Sequence, residues 1–175
     1  MDKNYLQANL VIRSYEPIDL EVCRRLWLEL TQWHRDIYHS PNIGGENPGL
    51  FFDKHLHQVG PDHIWVAELD GKVIGLTGLI LEDEEGELEP LVVTEEYRGQ
   101  GIGRQLAEIV IKQARKIGVT QLKVRPVGRN EEAIQFFHKL GFNIIGHIEL
   151  FQEFKPDPQQ IWQDREKIAN RKFKV

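Results

Sequence analysis

The stretch Arg98-Gly99-Gln100-Gly101-Ile102-Gly103-Arg104 decides the reading of this chain. It follows an apolar run, Leu91-Val92-Val93, and precedes a helical pattern that begins near Ile102. A strand, a glycine-rich turn and a helix in that order make an anion holder. Glycine lets the backbone approach a ligand closely and take conformations closed to other residues. The first helical turn then offers unpaired N–H groups and the positive end of the helix dipole. Arg98 and Arg104 add positive charge at the two ends of the turn. The plainer alternative is a glycine turn before an ordinary helix.

Spacing narrows the kind of anion holder. A Walker loop needs four residues between two glycines, followed by Gly-Lys-Ser/Thr, and no such string occurs. A dinucleotide fingerprint needs G-x-G-x-x-G/A. Counting from Gly99 its last position falls on Arg104, and counting from Gly101 on Leu106, so neither frame fits. What remains is R-x-x-G-x-G on Arg98, Gly101 and Gly103. Further along stands Asn130-Glu-Glu-Ala133-Ile-Gln-Phe136-Phe137-His-Lys139-Leu140-Gly141-Phe142. The first string resembles the pyrophosphate loop of the GNAT N-acetyltransferases. The second resembles that family's N-x-x-A-x-x-F-Y-x-K-x-G-F signature. The two occur in the family's order, and the resemblance covers roughly residues 10 to 150.

Composition sets the outer limits. A chain of 175 residues suits one domain with one core. Hydrophobic residues make up 41 %, as in globular proteins. A formal net charge of -5 disfavours non-specific nucleic-acid binding. No apolar run approaches the roughly 20 residues of a membrane span. The start, Met-Asp-Lys-Asn-Tyr, has no signal-peptide core, and a lone Cys23 excludes an internal disulfide. A cytoplasmic setting is expected, with neither membrane nor nucleic acid as partner.

The remaining pattern reads as α/β with a mixed sheet. Leu10 to Tyr15 is a first strand, and Pro17 opens a helix to about Ile37. Val22, Leu26, Leu30, Trp33 and Ile37 recur at helical steps and form its buried stripe. Residues 39–49 break regular structure, and a short helix follows to about Val59. His63–Leu69 and Lys72–Leu81 flank the turn signal Asp70-Gly71. Glu87–Val93, a helix from 101 to 117 and a strand from 119 to 124 come next. Asn130 caps a further helix that ends at Gly141. Phe142–Phe154 reads as extended, as one long strand or a bent pair, and residues 156–175 as a tail with a polar helix. The resemblance implies the GNAT acyl-CoA N-acyltransferase fold over residues 1–155: a mixed, mostly antiparallel sheet flanked by helices.

The resemblance also implies chemistry. The cosubstrate is acetyl-CoA, its pyrophosphate on the backbone of Gly99, Gln100, Gly101, Ile102, Gly103 and Arg104, with Arg98 leading the loop. In the family the strand before the loop splays from its neighbour, and its edge pairs with the pantetheine amides. That assigns Leu91, Val92 and Val93. Asn130 either touches the cofactor or only caps its helix. The reaction is direct acetyl transfer to a primary amine, small and basic or on a protein lysine or N-terminus. A carboxylate suits the proton acceptor. Alternation along a strand turns Glu87, Glu89, Leu91 and Val93 one way. Glu87 or Glu89 is the candidate base; the alternative is that Glu82 to Glu89 forms a solvated acidic turn.

At one position the chain departs from its relatives. They carry a tyrosine before x-K-x-G-F, where its hydroxyl can protonate the leaving sulfur. Phe137 stands there and has no proton to give. A second reading is therefore a CoA-binding sensor or regulatory protein with little catalysis. In this family the region after the first helix shapes the acceptor pocket, which offers Trp33 and Tyr38, though both also suit ordinary packing. Seven histidines include His55-x-His57, but no string has zinc spacing, and they read as surface or loop residues with no metal. Cys23 lies within the first helix's apolar stripe and reads as core. The family often dimerises through its last strands, so a homodimer is expected.

Overall fold

The computed structural model describes residues 9–155, 164–168 and 171–174. Their contacts divide the chain into two compact units: up to Thr31 with Gly44–Val124, and Gln32–Ile43 with residues from Arg125 on.

The first unit holds a five-stranded sheet in sequence order, β1 (Leu10–Ser14), β2 (Ile64–Leu69), β3 (Lys72–Glu82), β4 (Glu85–Val93) and β5 (Gln121–Lys123). The first four strands run antiparallel, and β5 joins β4 in parallel. The sheet is therefore mixed and mostly antiparallel. The hairpin at Asp70-Gly71 forms as the dipeptide predicts, with φ of 50° and 77° that suit a two-residue primed turn.

Helix α1 (Leu20–Tyr38) follows a one-turn helix at Pro17–Asp19, where Arg13 grips the Asp19 carboxylate at 2.7 and 2.9 Å. Helix α2 (Phe51–Val59) is braced on α1 by Arg24 and Asp53, 2.7 Å apart. Tyr15, Cys23, Leu26 and Phe52 pack with Ile64, Val66, Leu76 and Val92 on one face of the sheet. Helix α3 (Ile102–Ile117) sends Ile102 and Leu106 to a second cluster with Ala67, Leu69, Ile74 and Val93. Helices thus cover both faces, each through one apolar stripe.

The second unit contains α4 (Glu131–Lys139). Its sequence signals act as read: the Asn130 side chain accepts from Ala133 N at 3.0 Å, and Glu131 and Glu132 occupy the first turn. Two expectations fail further on. Residues 142–155 form no strand. Their apolar alternation suits one, but a strand exists only with a ladder to pair on, and Ile144, Ile145 and Phe154 stay largely exposed. The polar helix expected in the tail is replaced by an antiparallel pair, β6 (Asp164–Ile168) and β7 (Arg171–Lys174). Too few apolar residues recur at helical spacing there to give a helix a face to bury. The rest of the expected helix lies outside the described residues.

Candidate active site

The glycine turn connects β4 to α3 within the first unit. Gly99 and Gly101 have φ of 72° and 86°, the left-handed region that favours glycine. A Cβ on either would meet nothing within 4 Å, so both face open space. Helix α3 makes its first internal bond from Gln105 N to Gly101 O. The N–H groups of Ile102, Gly103 and Arg104 therefore head the helix without a carbonyl inside it. Backbone donors, a dipole end and open space coincide at Gly99–Arg104.

Arg98 is tied into the fold beside the turn. Its Nε donates to Val93 O at 2.8 Å, and its Nη2 lies 3.2 Å from Glu29 Oε1 on α1. The same Glu29 oxygen accepts from Glu95 N at 2.8 Å. Arg98 and Glu29 together tie the end of β4 and the start of the turn to α1. Arg104 pairs along its own helix with Glu108 at 2.7 Å and stays exposed.

β5 covers only the first three residues of β4, Glu85 to Glu87. From Leu88 onward β4 runs on without it, which leaves the Leu91–Val93 edge on that side outside the ladder.

The alternation predicted for β4 does not hold. Leu91 opposes Thr77 and Leu88 opposes Leu79, so Glu89 and Pro90 stand together against Gly78. A proline cannot donate to the ladder, and the extra residue is a β-bulge. Beyond it every side chain changes face. Leu91 and Val93 point to the α3 face, with Ile102 and Leu106. Glu87 opposes Ile80, which shares its face with Gly78 and Leu76, the α1–α2 side. Glu87 is 1 % exposed, not part of a solvated acidic turn. Glu82 and Glu85 do make such a surface cluster, around Lys123.

His55 is the residue that sequence reasoning missed. It was read as a surface histidine, yet it is 5 % exposed. Burial holds it neutral, with its pKa pushed down to about 4. Its ring packs at 5.2 Å from Trp27, and its buried Nε2 has no hydrogen-bond partner. The signal was present in the helical spacing of Phe52, His55 and Leu56, which puts His55 on the apolar stripe of α2. Among the described residues no group of three His, Cys, Asp or Glu could hold a metal ion. Cys23 is fully buried, as its stripe position predicts, and burial pushes its thiol up to about 12. No described helix is long and apolar enough to cross a membrane.

The first unit therefore brings together Glu87, Glu89, Leu91–Val93 and Arg98–Arg104. The other sequence candidates belong to the second unit. Tyr38 takes the Arg129 guanidinium over its ring at 4.8 Å, while Arg129 Nη1 donates to Ile37 O at 3.2 Å. Trp33 lies half-buried on the preceding turn of α1. Phe137 is buried and stacks edge-on against Phe136 and Phe142 at 5.1 and 5.6 Å.

A mixed, mostly antiparallel sheet with a glycine turn leading from a strand into a helix suits the GNAT fold, and comparison with known proteins agrees. The model of the acetyltransferase (GNAT) family matches residues 27–142. The chain belongs to that family. It is 34 % identical over 89 residues to N-acetyltransferase family 8 member 2 of Rattus norvegicus, covering 47 % of this chain and 39 % of that protein. It is 31 % identical over 111 residues to spermidine N(1)-acetyltransferase of Escherichia coli K12, covering 59 % and 55 %. A GNAT acetyltransferase from Staphylococcus aureus Mu50 superposes with a TM-score of 0.66 at 20 % identity, over 84 % of this chain and 92 % of that one. The chain thus spans about half or less of the length of these two sequence relatives, and the solved structure speaks for the fold.

Proposed function

We propose that this protein is an N-acetyltransferase that moves acetyl from acetyl-CoA directly to a primary amine. The observation that carries this reading is the coincidence, in one unit, of the Gly99–Arg104 amide cradle with the β4 edge that β5 leaves open. The pyrophosphate lies on the amides of Gly99, Gln100, Gly101, Ile102, Gly103 and Arg104. The pantetheine amides pair with Leu91–Val93. Arg98 holds the turn in shape rather than acting as a loose charge. The family resemblance assigns Asn130 and Phe137 to the cofactor as well.

In the reaction, Glu87, or Glu89 through water, takes a proton from the acceptor ammonium. The amine nitrogen attacks the thioester carbonyl carbon, and the oxyanion is held by the N–H of Val92 or Val93. The C–S bond then breaks, CoA leaves as a thiolate, and the second amine proton passes to water or to that thiolate. Phe137 supplies no proton to it, so departure rests on the thiolate's own stability. Glu87 and Glu89 favour a basic acceptor, and the similarity to a spermidine acetyltransferase points the same way. The family resemblance alone assigns Trp33 and Tyr38 to the acceptor. A cytoplasmic homodimer without membrane or nucleic-acid partners completes the reading.

Titration calorimetry with acetyl-CoA, with release of free CoA followed in the presence of spermidine and an amine panel, tests it. Micromolar binding with amine-dependent release is the expected result. Absent binding refutes it. Glu87→Gln should lower turnover by about 10²–10⁴-fold and leave acetyl-CoA affinity nearly unchanged. The buried, hydroxyl-free Phe137 favours one second reading, a CoA-binding sensor. That reading predicts tight binding with no release to any amine, and measurable wild-type turnover excludes it.

A further inference from the structure

Gly78 lies in the middle of β3, where a glycine weakens a strand and often marks close approach of another group. Here the approach is explicit. A Cβ on Gly78 would stand 2.6 Å from Glu89 O and 2.7 Å from His55 Nε2. Both distances are too short for real atoms, so the place where a β3 side chain belongs is already taken. Its occupant is the His55 imidazole, delivered from α2. Glu89 O and Nε2 both crowd that one point, so the imidazole and the β4 bulge border the same space.

The bulge is braced from its other side as well. Thr77 Oγ1, one residue before Gly78, donates to Pro90 O at 2.9 Å within the core. His55 itself is held from behind by Trp27 and, through its helix, by the Arg24–Asp53 pair. A buried imidazole nitrogen with no partner costs stability. Such a group in a native fold calls for an explanation. A leucine there would pack at less cost, so something other than stability accounts for the nitrogen.

We propose that His55 is a positioning residue for acetyl transfer: its imidazole fills the side-chain place that Gly78 leaves vacant, props the Glu89–Pro90 bulge, and so aims the Leu91–Val93 edge. The inference rests on the reading of that edge as the acetyl-CoA strand. The direction of the Val92 and Val93 N–H groups depends on where the bulge puts them, immediately downstream. When the thioester carbonyl takes one of these donors, the bulge tightens and Nε2 closes on the Glu89 carbonyl. His55 does not touch the reacting atoms.

The test is a titration of the ¹⁵N-labelled full chain with acetyl-CoA, following the Gly99, Gly101 and Gly103 amides together with the His55 ring nitrogens. If the proposal holds, the loop amides and His55 Nε2 shift together, in a hydrogen-bonding direction. Loop amides that shift while His55 stays unmoved overturn the proposal and leave the cofactor reading standing. Loop amides that do not shift overturn both.

Kinetics with spermidine as the probe amine give a second readout. His55→Leu should lower kcat between about tenfold and a hundredfold, the usual cost of a small misplacement, with acetyl-CoA Kd within about twofold. His55→Gln, which can carry a nitrogen to about the same place, should recover most of kcat. A purely structural histidine would lower Tm in both variants without this split. Retention of kcat by His55→Leu would sink the idea.

Discussion

Gly101→Ala separates what the glycine turn does for folding from what it does for the ligand. Gly101 has φ 86° and ψ 0°, and a Cβ there meets no protein atom within 4 Å. The cost to the free protein is therefore backbone strain alone, roughly 1–2 kcal/mol for a left-handed non-glycine residue. For a chain of this length that lowers Tm by about 2–8 °C. Gly71, at the β2–β3 hairpin, has φ 77° and equally open surroundings. Gly71→Ala is thus a control with the same strain, at a turn assigned no ligand. The two variants should lose similar Tm in the same melt.

Their acetyl-CoA affinities should part. The space that the Gly101 methyl would enter is the space assigned to the pyrophosphate. A methyl there displaces the ligand or tilts the amides that hold it, and Kd should rise by about tenfold to a hundredfold, or about 1.4–2.8 kcal/mol. Gly71→Ala should leave Kd unchanged. Calorimetry on both variants decides the matter. Equal Tm losses with neither Kd altered would show that the turn shapes the fold and holds no anion, refuting the reasoning from φ and open space.

Other expectations follow from the same packing. Glu29→Gln removes the charge shared by the half-exposed Arg98 and the exposed Glu95 N, and should cost about 1 kcal/mol in denaturant melts while raising acetyl-CoA Kd severalfold. Cys23, fully buried with its thiol pushed up to about 12, should react with a disulfide reagent only as fast as the protein opens; rapid native labelling at pH 8 would contradict its burial. His55 is neutral in the folded state down to about pH 4, while the unfolded chain takes a proton near its ordinary 6.5. Its contribution to stability is therefore full above that value and falls by up to roughly 3 kcal/mol between pH 6.5 and 4, a slope that His55→Gln should flatten. Asp19, held below the usual carboxylate range by Arg13, adds stability above its unfolded value that is lost as pH falls through its lowered native one, and Asp19→Asn should remove that acid limb from urea midpoints.

How much was legible in the sequence follows from how local each signal is. The Asp70-Gly71 hairpin, the Gly99–Gly103 turn and the Asn130 cap each need only a few adjacent residues, and each stands where the residues put it. The Phe142–Phe154 stretch failed because alternation specifies a strand only when a partner supplies the ladder, and none is written in the stretch itself. The faces of β4 failed for a related reason. A bulge is a property of two strands, and although Pro90 hinted at it, the face of Glu87 depended on its pairing with Ile80. Gly78 and His55 show what a better reading would need. A glycine inside a β-rich run and a histidine on an apolar helical stripe were each visible, separately, as a missing side chain and a misplaced polar one. Neither means much alone, since a strand glycine is often only a weak point and a stripe histidine is usually a satisfied core residue. They explain each other once the fold brings them together beside Glu89, because the imidazole takes the space a side chain on Gly78 would need. The chemistry-bearing strand is where local rules break, and paired breaks of this kind mark a site more sharply than either motif residue does by itself.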